Sequence, residues 1–279
     1  MPSVLGIDAA WTVTEPSGVS LLVADEAGVW RCAAVAPSYD SFLALAAGTP
    51  VDWGLRPMPG RSDPAKLLAA ARTLDPAPVA VVAVDMPLAT VPITGRRAAD
   101  QAVSRYFGAR GASTHSPSAR RPGPLADSLR ACFGASGYPL ATVTDGGPRW
   151  PALIEVYPHA SLLALTGAAY RIPYKVQRSA RYHPGASVRE RIRRVHSELA
   201  SILDRLREHV DAIELPLPPV GEIPSLRMLK RYEDALDGLV CAWSALRYLR
   251  GEADAFGDDT AAIWVPRRSR EPPGPGATP

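Results

Sequence analysis

The run Pro78-Val79-Ala80-Val81-Val82-Ala83-Val84-Asp85 constrains the fold more than any other stretch of this chain. It is an unbroken Val/Ala segment without polar residues at alternate positions. Such a strand is expected to be covered on both faces, which puts it inside an α/β sheet rather than in a one-sided antiparallel sheet. It runs into a carboxylate, and a carboxylate taken out of water without a partner is strongly disfavoured. Asp85 is therefore expected at the open carboxyl end of its strand, where open α/β sheets place their sites.

The N-terminus repeats this arrangement. Ser3-Val4-Leu5-Gly6-Ile7-Asp8 is a second strand that ends in an aspartate. On that strand alone, Asp8 reads equally as a turn or capping residue and as a site residue. Residues 18–24 and 29–36, separated by the turn Asp25-Glu26-Ala27-Gly28, complete a three-stranded antiparallel meander. Helices are expected over 39–47, 66–74, 98–107, 125–133 and 187–210. The second has Asp63 as N-cap and Pro64 at its first position. A last helix, capped by Ser225, is expected to run to Leu249 and stop at Gly251. Residues 254–266 read as a final capping segment with Ile263-Trp264-Val265 as a short edge strand.

Composition sets bounds on this picture. At 279 residues, with 47% hydrophobic and 21% charged residues, the chain is globular rather than disordered. We expect one domain over 1–266 with helical and loop insertions near 94–137 and 160–224. Residues 267–279, rich in Pro, Gly and Arg, are expected to be a disordered tail. The net charge of +3 does not by itself imply a nucleic-acid partner. Lysine occurs only at Lys66, Lys175 and Lys230, an arginine bias that reads first as genome composition. Cys32, Cys132 and Cys241 lack ligand spacing and are expected to be buried thiols of a reducing compartment. No leader and no membrane span are expected, which points to the cytoplasm.

Several polar residues stand out against this background. Arg96, Arg97, Arg105, Arg110, Arg120 and Arg121 crowd one stretch, relieved only by Asp100. They form either a solvated helix face with a long loop or a phosphate-contacting surface. That loop, 108–124, carries His115. Glu155 lies inside the apolar segment Leu153-Ile154-Glu155-Val156-Tyr157, where a carboxylate needs a partner. His159 reads as a ligand, a general base or a hydrogen-bonded loop histidine. Asp234 and Asp237 share one face of a mostly apolar helix, so they need a cation or strong donors. The helix over 187–210 carries an apolar stripe of Ile192, Val195, Leu199, Ile202, Leu206 and Val210, and its arginines read as a solvated face.

Acids at the ends of two neighbouring strands and on a last helix match the topology of the ribonuclease H-like fold, an α/β fold with a mixed five-stranded sheet of order 3-2-1-4-5. The segments Gly6-Ile7-Asp8-Ala9-Ala10-Trp11, Asp85-Met86-Pro87-Leu88, Gly95-Arg96-Arg97-Ala98-Ala99-Asp100, His115-Ser116-Pro117, Glu155-Val156-Tyr157-Pro158-His159, Tyr174-Lys175 and Asp234-Ala235-Leu236-Asp237 resemble the motifs of the DUF429 family over nearly the whole chain. That family is described as predicted nucleases of this fold. The resemblance implies phosphodiester hydrolysis with two Mg²⁺ or Mn²⁺ ions and a nucleic-acid substrate. Asp8 would bridge the ions, and Asp85 with Asp234 or Asp237 would complete their shells. The other helix aspartate or Glu155 would orient water. Lys175, Arg96 and Arg97 would position phosphate, and His115 or His159 would transfer protons. Two alternatives stand beside this reading: a non-catalytic nucleic-acid binder of the same fold, and an actin-like or sugar-kinase-like phosphotransferase. The latter needs a second meander and phosphate loop, for which Thr144-Asp145-Gly146-Gly147 is the only candidate.

Overall fold

A computed structural model describes residues 1–145 and 147–268. Among these residues seven strands form one mixed sheet: β1 (Ser3–Asp8), β2 (Gly18–Ala24), β3 (Trp30–Ala36), β4 (Val79–Val84), β5 (Ala152–Val156), β6 (Ala253–Gly257) and β7 (Ala262–Pro266). Their order is β3-β2-β1-β4-β5-β7-β6. The first three strands pair antiparallel, and β1, β4, β5 and β7 run parallel.

The sheet is thus wider than the five strands expected from the sequence. Ile263-Trp264-Val265 is not an edge strand. It pairs with β5 on one side and is covered by β6 on the other, and all three residues are buried. The sequence shows an apolar triplet but not the hairpin partner, because Ala253–Gly257 has little strand character of its own.

Among the described residues eight α-helices flank the sheet: α1 (Tyr39–Ala46), α2 (Pro64–Leu74), α3 (Ala98–Phe107), α4 (Pro124–Ala135), α5 (Pro158–Thr166), α6 (Ser179–Tyr182), α7 (Val188–Arg207) and α8 (Leu226–Leu249). Asp63 caps α2, accepting from the Lys66 N–H at 3.2 Å, with Pro64 behind it. Ser225 occupies the expected cap position of α8 but makes no side-chain capping bond.

Strand alternation sorts the core. Val4 and Val81 face α8 and α7, packing with Leu236, Leu239, Ile192 and Leu199. Leu5, Ile7, Val82 and Val84 face α1, α2 and α4 through Phe42, Leu67, Leu129 and Phe133. With side chains alternating every residue, Asp8 and Asp85 continue the rows of Gly6 and Ala83 on the α8 side.

The approach of α8 is close because β1 and β2 present glycine to it. A Cβ at Gly6 would lie 2.7 Å from the Ala242 Cα, and one at Gly18 would meet the backbone of Asp234. The helix turn that carries Asp234 and Asp237 is therefore seated directly on the strand end that carries Asp8.

The solvated reading of α7 agrees with Arg189, Arg193 and Arg194 being exposed, while its apolar stripe is buried. Of the expected tail, Arg267 is bonded to Glu252, Gly251 and Asp254, and residues 269–279 lie outside the described residues. Cys32 and Cys241 are buried as expected, but Cys132 is exposed, on the outer side of α4. Among the described residues no helix is long and apolar enough to cross a membrane.

Candidate functional site

Adjacent strands deliver the two aspartates side by side. Val84 is in register with Ile7, and the Asp85 N–H donates to the Ile7 carbonyl at 2.9 Å, so Asp8 and Asp85 leave the sheet together. Among the described residues, neither carboxylate has a hydrogen bond or ion pair. Burial pushes the Asp8 pKa up to about 7, helped by Asp237 and opposed by Lys175 and Lys230. Burial also holds Asp85 well above the usual carboxylate range, reinforced by the charge of Asp8.

The helix acids differ from these two. Asp237 is fully buried and accepts from the Tyr174 hydroxyl at 2.6 Å and from the Lys175 ammonium. Burial raises its pKa, and those two donors oppose the rise. Asp234 accepts from Lys230 through Oδ1, while its Oδ2 is buried without a partner. Its pKa is held high by burial, opposed by Lys230 and reinforced by Asp8. Glu233 shares Lys230 with Asp234 and Lys175 with Asp237. It accepts from the Val176 N–H at 2.6 Å and from Lys230 at 3.0 Å, and pairs with Lys175 at 3.5 Å. Burial acts to raise its pKa but is outweighed by Lys230 and Lys175, so this carboxylate stays ionised. Burial would neutralise Lys175, yet Asp237, Tyr174 and Glu233 keep it charged.

The site thus contains two of the chain's three lysines. Lys230, Glu233, Asp234 and Asp237 follow one another at i, i+3, i+4 and i+7, which is one helix face. Lys230 and Glu233 are not among the residues expected from the sequence; this spacing and the scarcity of lysine are the signal in the chain that marks them. A cavity of about 500 Å³ opens over the cluster, lined by Asp8, Asp85, Asp234, Lys175, Lys230 and Trp11.

Glu155 stands apart from this group. It pairs with Val84 in the β4–β5 register, on the sheet face opposite Asp8 and Asp85. Its oxygens accept from Arg97 at 2.6 and 2.7 Å and from the Leu88 N–H at 2.7 Å. Arg97 also binds both oxygens of Asp100, at 2.9 and 3.0 Å from its side chain. This buried triad answers the need for a partner that Glu155 presented in the sequence, and it commits Arg97 to two carboxylates. Arg96 donates to the Ser116 hydroxyl at 2.9 Å and to the Asp100 carbonyl at 3.0 Å, fastening the His115 loop to α3.

His159 lies in the first turn of α5 rather than in a loop, is buried, and is bonded through Nε2 to Arg171. His115 is exposed and accepts from Arg178 at 2.9 Å. Burial lowers the pKa of both, with Arg178 and Arg171 adding to it. Neither arginine stands out in the sequence.

The donor set is compatible with a divalent cation. Asp8 and Asp85 have free acceptor oxygens whose charge is costly where they stand, and Asp234 offers a buried, orphaned Oδ2 nearby. Among the described residues no three acidic, histidine or cysteine side chains are grouped to hold a metal ion unaided. Mg²⁺ commonly takes one or two carboxylates and completes its shell with water and substrate phosphate oxygens.

No curated protein and no solved structure matches the chain significantly. The family described as Protein of unknown function (DUF429) matches residues 6–262, and the chain belongs to that family.

Proposed function

We propose that this protein is a metal-dependent phosphodiester hydrolase acting on nucleic acid, with a ribonuclease H-like arrangement of its first five strands. The observation that carries the reading is the pair Asp8 and Asp85. They are two unbonded carboxylates on neighbouring strand ends, raised in pKa, facing a cavity with two ammonium groups. The antiparallel meander followed by parallel β4 and β5, with α8 crossing β1, supports the fold assignment.

Asp8 and Asp85 would hold Mg²⁺ or Mn²⁺, with Asp234 Oδ2 within the same cluster. When bound, such an ion supplies activation of a water and stabilisation of the leaving oxygen. Asp237 serves differently from the ligand role expected of it. Its oxygens hold Tyr174 and Lys175, so it fixes an ammonium beside Asp8. Lys175 and Lys230 neutralise the helix acids and present positive charge to an incoming phosphate. A second ion would have to share the helix carboxylates with these lysines. Glu155 and Arg97 act as a strut between β5 and the start of α3.

The lysine pairing favours one rival, a nucleic-acid binder whose acids are balanced by ammonium instead of metal. Two measurements on the purified chain separate the readings. Millimolar Mn²⁺ is expected to raise the melting temperature of the wild type but not of Asp8→Asn. A panel of single-stranded, duplex and branched substrates should be cleaved with Mg²⁺ or Mn²⁺ by the wild type only. Salt-dependent binding without turnover, together with a melting temperature indifferent to Mn²⁺, would establish the binder and end the hydrolase reading.

A further inference from the structure

Beside the acidic cluster lies a second cavity, of about 260 Å³, on the scale of a small-ligand pocket. It shares Trp11, Asp85 and Lys175 with the first cavity and is closed by Tyr157, Arg171 and Arg178. Two Arg–His pairs define its chemistry. Arg171 donates to His159 Nε2, and Arg178 donates to His115 Nε2. A guanidinium has no acceptor, so each imidazole must accept through its lone pair and is neutral, with its proton on Nδ1. Each pair therefore carries one full positive charge. Among the described residues neither Arg171 nor Arg178 forms an ion pair with a carboxylate.

That separates them from the other cations around the cluster. Arg97, Lys175 and Lys230 are each paired with two acids, whereas these two half-buried arginines have none of their own; of the carboxylates that line the cavity, Asp100 and Glu155 are held by Arg97, Glu233 by the two lysines, and Asp85 is unbonded with a raised pKa. A second observation concerns the same residues. His159 is 6% exposed, and its Nδ1 is buried without a hydrogen-bond partner. The Arg171 Nε is likewise unpartnered. Buried donors left open are rare in folded proteins unless something else occupies the site.

We propose that the Arg171–His159 and Arg178–His115 pairs form a subsite for a phosphate monoester: the phosphorylated end of a nucleic-acid strand whose adjoining phosphodiester lies over Asp8 and Asp85. The proposal deepens the hydrolase reading and rests on it for the second half of that statement. The charge decides between monoester and diester. Two guanidiniums without a carboxylate partner of their own match the roughly −1.5 to −2 charge and three terminal oxygens of a monoester, whereas an internal diester carries a single charge. Trp11 and Tyr157 line the same cavity and offer π faces for the terminal base.

The test is calorimetric binding to the Asp8→Asn protein, in which cleavage does not interfere. The probes are pentathymidylate with a 5′ phosphate, with a 3′ phosphate or with neither, then thymidine 5′-monophosphate and inorganic phosphate. One phosphorylated pentamer is expected to bind about tenfold tighter than the unphosphorylated one or more, with inorganic phosphate competing. Arg171→Gln/Arg178→Gln should abolish that preference, and Arg105→Gln, on the exposed face of α3, should retain it. If the double variant does not fold, Arg178→Gln alone should show at least half the loss on a logarithmic scale. Thymidine 5′-monophosphate binding as tightly as the phosphorylated pentamer would keep the subsite and make a free nucleotide its source. Equal binding of all three pentamers, or a preference that survives the double variant, overturns the subsite. Cleavage assays on the wild type fail or succeed independently of this preference, so loss of the hydrolase reading and loss of the subsite are told apart.

Discussion

The seating of α8 on β1 is the contact on which the site depends, and Gly6→Ala tests it directly. A Cβ built at Gly6 falls 2.7 Å from the Ala242 Cα and closer still to the Ala242 nitrogen and the Gly238 carbonyl oxygen. Carbon atoms in contact lie about 3.5–4.0 Å apart, so the helix has to retreat by roughly 1 Å. All three obstructing atoms are helix backbone, and no side-chain rotation relieves them. Overpacking of a closed core costs about 1–3 kcal/mol. The upper end applies here because α8 also packs on β2 and β4, and a retreat loosens all three contacts. At roughly 2–4 °C per kcal/mol, about 3 kcal/mol lowers the melting temperature by ~6–12 °C. The retreat also draws Asp234 and Asp237 away from Asp8, so the stabilisation by Mn²⁺ should shrink along with the stability. Chemical denaturation and thermal melts with and without Mn²⁺ measure both quantities. Gly221→Ala is the control, because its added Cβ would have nothing within 4 Å. A Gly6→Ala protein within 0.5 kcal/mol (roughly the scatter of a neutral surface change) of both the wild type and that control would refute the close-packing argument.

Three further outcomes are expected. Arg97→Met strands the buried carboxylates of Glu155 and Asp100 and should cost about 3–5 kcal/mol in denaturant melts; adding Glu155→Gln should recover part of that loss, and no recovery would count against the triad. Asp8→Asn should stabilise the metal-free protein in alkaline but not in acidic buffer: the folded pKa of about 7 lies above the unfolded value of 3.8, so the carboxylate costs nothing below pH 3.8 and its full penalty is reached above pH 7. That shift corresponds to roughly 4 kcal/mol, reduced to ~2 kcal/mol by the solvent contact of the half-buried side chain, and a flat difference between pH 4 and pH 8 would contradict it. In the native protein a thiol reagent should label Cys132 alone, since burial pushes the Cys32 thiol up to about 12 and raises that of Cys241; rapid labelling of more than one thiol per chain would show that the core is open.

The strand ends were legible because their physics is local. An apolar run that stops at a carboxylate announces a buried strand and its open end, and β1 and β4 begin and end within a residue of where the pattern puts them. Capping chemistry is equally local, as Asp63 and Pro64 show at α2. The partners of charged groups were not legible. Glu155 and Arg97 are 58 residues apart and meet only through the β4–β5 register and the start of α3. The same holds for Lys175 and Asp237, brought together across 62 residues. A metal cluster and a set of lysine-paired acids look alike in sequence, because the acids have the same spacing in both.

What the sequence determined by itself was the pair of strands, their parity and the acids at their ends, since side-chain alternation and desolvation act within a few residues. The tertiary structure decided which of those acids are free. It gave Glu155 to Arg97 and Asp237 to Lys175, and it left Asp8 and Asp85 open beside a cavity. It also set two arginines without a carboxylate partner of their own next to them. Those outcomes depend on which distant cation the fold brings to which carboxylate: the β4–β5 register and the start of α3 do so for Glu155, and the packing of α8 on β1, through Gly6, does so for the helix acids.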